Sequence, residues 1–235
     1  MKSNIILSIS CHAGGKTYHS IKEIQKYLDD KSSIIKRVLR IEANQKIEDW
    51  EIKMANCNFS IESKSFDIIK NWNTQDSIIC QITDNSIWNK NDSNHDGVNK
   101  YLNYHLHKLE NTLIVIEGEN HKLWDSSLIN SVIENKSHLV LCQTSFYHFD
   151  EKIIKSATKI ILGQEMASVG RYVDKFNLTE HKKDLLFIAE KIVKSKYKQG
   201  DFRPNVSIDL ENEVIYGDFT KDYYDSCAFD YYENK

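Results

Sequence analysis

Arginine, proline and long apolar runs are all scarce in this sequence. Its 235 residues include four arginines and one proline. A small-molecule or nucleotide kinase needs a lid with several arginines to clamp phosphates, so four scattered arginines argue against that class. No run approaches the 18 apolar residues of a membrane-spanning helix, and the start of the chain lacks the apolar length and cleavage site of a signal peptide. We therefore expect a soluble, cytoplasmic protein without a membrane span.

Paired cysteines are also missing. The five cysteines are Cys11, Cys57, Cys80, Cys142 and Cys227. They are odd in number, widely spaced and form no C-x-x-C pair, a pattern that indicates reduced thiols.

The sequence has no overall basic character either. Its net charge is −3 and its pI is near 6.3, so any contact with nucleic acid would have to come from a local patch. A chain of 235 residues that is 40% hydrophobic and 28% charged is large enough for one well-buried α/β domain and small for two. We assign residues 1–200 to that domain and residues 201–235 to a C-terminal β-hairpin and an acidic, aromatic tail.

The most informative stretch is residues 4–28. An apolar run over residues 5–9 predicts a buried parallel strand, and Ile21, Ile24 and Leu28 lie on one face of a predicted helix. Between them lies the loop SCHAGGKT, residues 10–17. Strand, glycine loop and helix is the setting of a phosphate-binding loop, in which backbone N–H groups and the helix dipole favour an anion.

Within this loop, Gly15, Lys16 and Thr17 match the end of the pattern G-x-x-x-x-G-K-[ST], whereas Ser10 replaces its first glycine. Lys16 would reach the β- and γ-phosphates of a nucleotide, and the Thr17 hydroxyl would bind Mg²⁺. The alternative is a Gly-Gly turn with a solvated lysine.

A second strand candidate delivers acids to the same edge of a sheet. The apolar residues 113–116 end in Glu117, and Glu119 follows after one glycine. Open α/β sheets bind ligands at the carboxyl ends of their strands. Glu117 is expected to help hold Mg²⁺, and Glu119 to orient or deprotonate the attacking water. A third buried strand within residues 137–145 ends in Gln143, whose amide can sense a γ-phosphate by hydrogen bonding.

The order of these parts resembles FtsK/HerA-type P-loop ATPases, most of all the genome-packaging ATPases of membrane-containing icosahedral viruses. The motifs that carry the resemblance are SCHAGGKT, LIVIEGE followed by HKLW, LVLCQTS and KIILG. They match the order of Walker A, Walker B and a glutamine sensor, and the likeness covers residues 5–176. It implies a RecA-like α/β fold with a mainly parallel central sheet flanked by helices.

The resemblance also implies function. It predicts an ATPase that uses ATP and Mg²⁺ to translocate double-stranded DNA as a homo-oligomeric ring, most often a hexamer, in the host cytoplasm or on the virion. Capsid or virion-vertex proteins would be partners. The residues expected to hold ATP are Ala13, Gly14, Gly15, Lys16, Thr17 and Tyr18; those expected to hold the metal are Thr17 and Glu117. The residues expected to be catalytic are Lys16, Glu117, Glu119, Gln143 and Arg171.

Arg171 is included among the catalytic residues because such motors need an arginine from the neighbouring subunit to stabilise the charge on the transferring phosphoryl group. At 100° per residue it lies nearly opposite the apolar face of its predicted helix, so it faces solvent or a neighbour. Arg37 and Arg40, in a strand-like run, are the other candidates for this role or for a DNA-facing patch.

The C-terminal third adds a basic helix, a hairpin and a tail. Thr179 is predicted to cap a helix over residues 180–196, whose lysines form either a solvated face or a surface that follows DNA phosphates. Residues 205–217 alternate and predict a hairpin. The last 18 residues hold five acids and six aromatics; they dock on a neighbour or partner, or are disordered.

Two further alternatives remain open at this point. One is a conjugation or plasmid-transfer ATPase of the same superfamily. The other is a nucleotide-binding regulatory module without turnover, which the Ser10 and Glu-Gly-Glu departures leave possible.

Overall fold

A computed structural model gives the fold of the chain. It describes residues 3–11, 15–35, 37–42, 47–64, 68, 72, 79–82, 109–117, 126–149, 151–164, 169–174, 178–201 and 203–235.

The centre of the molecule is a nine-stranded sheet with the order β3-β4-β2-β5-β6-β1-β7-β8-β9. Its strands are β1 (Ile5–Ile9), β2 (Arg37–Ile41), β3 (Glu62–Lys64), β4 (Ile79–Ile82), β5 (Thr112–Glu117), β6 (His138–Gln143), β7 (Lys159–Gly163), β8 (Asn205–Asp209) and β9 (Val214–Gly217). The first seven pair in parallel, and β8 and β9 add antiparallel strands beside β7. The carboxyl ends of the parallel strands therefore share one edge.

Helices cover both faces of this sheet. They are α1 (Lys16–Asp29), α2 (Asp49–Met54), α3 (Ser126–Glu134), α4 (Glu151–Ser156), α5 (Gly170–Val173), α6 (Glu180–Lys198) and α7 (Lys221–Tyr232). A short 3-10 turn spans Phe146–His148. Within the described ranges, no helix is both long enough and apolar enough to cross a membrane.

The hydrophobic core is split by the sheet. Alternate residues of β1 point to opposite faces: Leu7 joins the larger cluster, which includes residues of α3, α4 and α6, and Ile6 joins the smaller one, which includes Ile24 of α1. All five residues of β1 are buried. This sandwich of helix, sheet and helix explains why the central strands are almost wholly apolar rather than alternating.

The predicted mainly parallel α/β fold is thus confirmed, as is the C-terminal hairpin, which extends the sheet beyond β7. Thr179 caps α6 by accepting a hydrogen bond from the Lys182 N–H, as its position predicts. Two elements in residues 42–94, α2 and β3, were not predicted.

The tail is a helix rather than a disordered segment. Thr220 caps α7 by accepting from the Tyr223 N–H. The Tyr231 ring stacks on Phe187 of α6 with centroids 5.7 Å apart, and its hydroxyl donates to Asp184 over 2.6 Å. Through these contacts α7 packs on α6 of the same chain.

Candidate functional site

The loop after β1 enters α1 through a glycine in a left-handed conformation. Gly15 is the N-cap residue of α1, with φ 95° and ψ 17°, and no side chain caps this helix end. Residues with a Cβ rarely adopt this conformation. The first N–H groups of α1 are therefore left to bind a ligand, and the positive end of the helix dipole lies at the same place.

Ser10, which departs from the phosphate-loop pattern, fits because another glycine makes room for it. Ser10 is fully buried, and its hydroxyl donates to the Gln164 carbonyl over 3.2 Å. A Cβ built at Gly163 would lie 2.7 Å from Ser10 Oγ and 2.9 Å from Ser10 Cβ. Ser10 does not have positive φ, so this position requires no glycine, and the side chain helps to hold the loop on β7.

Lys16 lies across the loop. Its ammonium donates to the carbonyls of Ser10 and Cys11, over 3.3 and 3.2 Å. The side chain thus folds back over the loop and places its charge at the carboxyl edge of the sheet.

Two hydroxyls of α1 hold the carboxylate at the end of β5. Thr17 donates to Glu117 Oε2 over 3.1 Å, and the Ser20 hydroxyl hydrogen-bonds Glu117 Oε1. Thr17 and Ser20 are three residues apart, so they lie on the same helix face. The predicted proximity of Thr17 and Glu117 is therefore present, and Ser20 is a site residue that the sequence interpretation missed. A hydroxyl beside a carboxylate is an oxygen donor set that suits Mg²⁺.

Arg40 completes the environment of Glu117, and this corrects one prediction. Its side chain is fully buried; Nη2 lies 3.1 Å from Glu117 Oε2, and Nε donates to Glu117 Oε1 over 3.4 Å. Nη2 also donates to Glu42. Arg40 therefore neither reaches a neighbouring subunit nor faces DNA, because the carboxylates at the ends of β2 and β5 draw it inside.

Glu42 is titratable near neutrality. Burial raises the pKa of Glu42 to about 7, against the lowering effect of Arg40, and Glu117 and Glu51 contribute in the same direction as burial.

Gln143 ends β6, the strand between β1 and β5, as the sequence predicted for the end of a buried strand. It is fully buried at the end of β6, in register with Ile9 of β1, and its carbonyl accepts from the Ser10 N–H over 3.1 Å. Its neighbour Cys142 is in register with Glu117. Its backbone is thus tied to the loop, and the γ-phosphate-sensing role of its side chain stays a prediction.

Two further residues at the loop carry no signal in the sequence. His19 is buried beneath Gly15, its Nδ1 lies 3.3 Å from Ser8 Oγ, and burial lowers its pKa to about 4, with Lys159, Arg203 and Lys16 adding to the effect. Arg203 lies beside the same glycine: its Cδ is 3.5 Å from the position that a Cβ would take at Gly15. Two basic side chains, Lys16 and Arg203, thus lie at the described part of the loop.

The remaining predicted residues are placed only in part. Tyr18 is half-buried in the first turn of α1, edge-on to His19 and with the Lys22 ammonium over its ring. Ala13, Gly14 and Glu119 lie outside the described residues. Arg171 belongs to α5, but its side chain lies outside the described part.

The basic face of α6 is partly neutralised. Lys183 pairs with Glu180 at 2.9 Å, Lys194 with Glu190 at 2.6 Å, and Lys196 donates to the Asp218 carbonyl. The two ion pairs reduce the net positive charge that this face offers to DNA phosphates, and the bond to the carbonyl fixes Lys196 without neutralising it.

Known proteins similar to this chain are found by comparing structures and not by comparing sequences. The sequence matches no protein-family model and no curated protein. The genome-packaging NTPase B204 of Sulfolobus turreted icosahedral virus 2, in complex with ATPγS, has a TM-score of 0.56 and 15% identity, over 91% of this chain and 95% of that one. Its complex with AMPPCP gives the same score and identity, over 91% and 96%.

A further neighbour is B204, the DNA-packaging ATPase of Sulfolobus turreted icosahedral virus, with a TM-score of 0.54 and 12% identity over 92% of this chain and 97% of that one. At such identity the likeness shows a shared fold. It confirms the architecture that the resemblance to viral genome-packaging ATPases implied.

Proposed function

We propose that this chain is a Mg²⁺-dependent ATPase that moves double-stranded DNA, as a genome-packaging motor does. The observation that carries the proposal is the junction between the glycine loop and β5, where Thr17 and Ser20 hold both oxygens of Glu117. Nucleotide hydrolysis requires a helix end that binds phosphates and a carboxylate that helps to hold the metal, and this chain has both at the same carboxyl edge of the sheet. The structural neighbours, which were captured with ATPγS and AMPPCP, support the same activity.

Each residue at the junction has a distinct task in this proposal. The N–H groups after Gly15 bind the phosphates, and Lys16 leaves the loop carbonyls to neutralise the β- and γ-phosphates. Thr17 and Glu117 hold Mg²⁺, directly or through water. When bound, the metal neutralises charge on the phosphate oxygens and orients them. Gln143 senses the γ-phosphate, and Arg203 adds positive charge beside Gly15.

The arginines favour a site shared between subunits. Arg40 is enclosed with its two carboxylates, Arg203 lies beside the loop of its own subunit, and Arg37 lies over the Trp72 ring at the amino end of β2. Arg171 is therefore the candidate to reach the nucleotide of a neighbour, and we propose a homo-oligomeric ring in which it does so.

The test is ATP hydrolysis by the purified protein, with and without long double-stranded DNA. We expect Mg²⁺-dependent turnover that DNA stimulates and that Lys16→Ala abolishes. Lys152→Ala, which removes an exposed lysine of α4, is the matched control and should behave as the wild type.

Two other outcomes would separate the parts of the proposal. Turnover that DNA leaves unchanged would support the ATPase and refute the motor. Tight ATP binding without turnover, at any protein concentration and with DNA present, would identify a nucleotide-binding regulatory module instead.

A further inference from the structure

A second carboxylate lies beside Glu117 at the carboxyl edge of the sheet. Ile41 of β2 is in register with Ile116 of β5, so the next residues along the two strands, Glu42 and Glu117, end side by side. Residues at matching positions of adjacent strands project to the same face. Here that is the face covered by α1 and its phosphate-binding end.

Arg40 ties these two carboxylates together. It lies two residues before Glu42 on the same strand face, it is fully buried, and its guanidinium contacts both Glu117 and Glu42. A buried arginine with one acid would form a neutral pair, whereas one arginine with two acids leaves a net negative charge. When both acids are ionised, the cluster therefore has an anionic group beyond what Arg40 neutralises, located beside the residue proposed to hold the metal.

The two glutamates are engaged differently. Both oxygens of Glu117 are held, by Thr17 and Ser20 from α1 and by Arg40 from β2, and its side chain is 5% exposed. The Glu42 side chain is 14% exposed, and within the described part of the chain its only side-chain partner is Arg40. Glu117 is fixed in one orientation, whereas Glu42 reaches the water at the edge of the site.

We propose that Glu42 is the catalytic residue that orients and deprotonates the attacking water. This inference rests on the proposed ATP hydrolysis. In the step, the water oxygen forms a bond to the terminal phosphorus of ATP while the bond from that phosphorus to the bridging oxygen breaks, and ADP leaves with that oxygen. A proton of the water passes to the Glu42 carboxylate and then to solvent. Glu117 keeps its task of holding the metal, and Arg40 positions both acids.

The test compares Glu42→Gln with Glu119→Gln, the change at the acid that the sequence suggested for this task. In Glu42→Gln, the new amide would retain an oxygen for the Arg40 guanidinium but could not take a proton. We expect kcat to fall by about 100-fold or more, the range of general base catalysis, with KM and the affinity for a fluorescent ATP analogue within about threefold of the wild type. Glu134→Gln, at an exposed position at the end of α3, is the control and should retain full activity.

The contrary outcomes are distinct. If Glu42→Gln retains kcat within about threefold while Glu119→Gln loses it, the water-activating acid is Glu119 and the inference is wrong. If Glu42→Gln loses nucleotide affinity in parallel with kcat, Glu42 acts in binding and the inference is again wrong. Absence of turnover in the wild-type protein, with nucleotide bound, would refute the proposed function itself and with it any catalytic task for Glu42.

Discussion

The contact between Ser10 and Gly163 gives a prediction that follows directly from the geometry. In Gly163→Ala, the new Cβ would lie 2.7 Å from Ser10 Oγ, 2.9 Å from Ser10 Cβ and 3.2 Å from His19 Cε1. Carbon atoms do not approach side-chain atoms below about 3 Å without displacement, and overpacking of this kind costs about 1–3 kcal/mol. For a chain of this length, about 2 kcal/mol corresponds to roughly 4–8 °C in Tm. Because Ser10 begins the phosphate loop, nucleotide affinity should fall as well.

A double-mutant cycle isolates this contact. Ser10→Gly removes both close atoms, at the cost of the hydrogen bond to Gln164, about 1 kcal/mol. In the Gly163→Ala background the same change should relieve the clash, so the double variant should be more stable than the sum of the single changes by about 1–2 kcal/mol.

The assays are urea unfolding and the Kd for a fluorescent ATP analogue. If Gly163→Ala has wild-type stability, or if the two effects simply add, Ser10 is not held against position 163 and the explanation of its place in the loop fails.

Three further predictions concern the charged groups of the site. The pKa of His19 is about 4 in the folded state against 6.5 when unfolded, so its contribution to stability is present above pH 6.5 and is lost as pH falls towards 4. The difference in unfolding free energy between wild type and His19→Gln should therefore shrink by about 2 kcal/mol from pH 7 to pH 5. A difference that stays constant in urea unfolding would contradict this. Arg40→Met leaves two buried carboxylates without a cation, so we expect the free energy of unfolding to fall by about 3 kcal/mol or more. The fall should be larger at pH 8 than at pH 6, because the acids need the cation only when they are ionised. Equal losses at both pH values would rule out this cause. Arg203→Gln should raise the Kd for ATP about tenfold or more, as expected for the loss of a charge-assisted contact, without changing Tm; an unchanged Kd in a binding titration would exclude Arg203 from the phosphate site.

Most of the sheet follows from local pattern. The buried runs at β1, β5 and β6 are so uniformly apolar that only a central parallel strand accommodates them, and the acid or amide at the end of β5 and β6 marks the ligand edge. Thr17 and Glu117 are 100 residues apart in sequence, yet they hydrogen-bond because both end at that edge. That Thr17 and Glu117 lie close together can therefore be predicted from the positions at which their two strands end.

The residues that were missed depend on contacts across the sheet. Arg40 was a candidate for contact with a neighbouring subunit or with DNA because nothing local reveals that β2 lies next to β5 and places Glu42 beside Glu117. Arg203 is far from the loop in sequence. It lies near Gly15 because the chain after α6 enters β8 beside the carboxyl end of β7. The tail is similar: its composition permits disorder, whereas the stacking of Tyr231 on Phe187 orders it.

The most direct test of the account is phosphate release from ATP by the wild type and by Lys16→Ala over a wide range of protein concentrations. We predict Mg²⁺-dependent turnover that increases per subunit as the concentration rises, because a neighbour completes each site, and no turnover by Lys16→Ala at any concentration. Equal phosphate release by both proteins would place hydrolysis elsewhere and contradict the central claim that the glycine loop and Glu117 form an ATPase site.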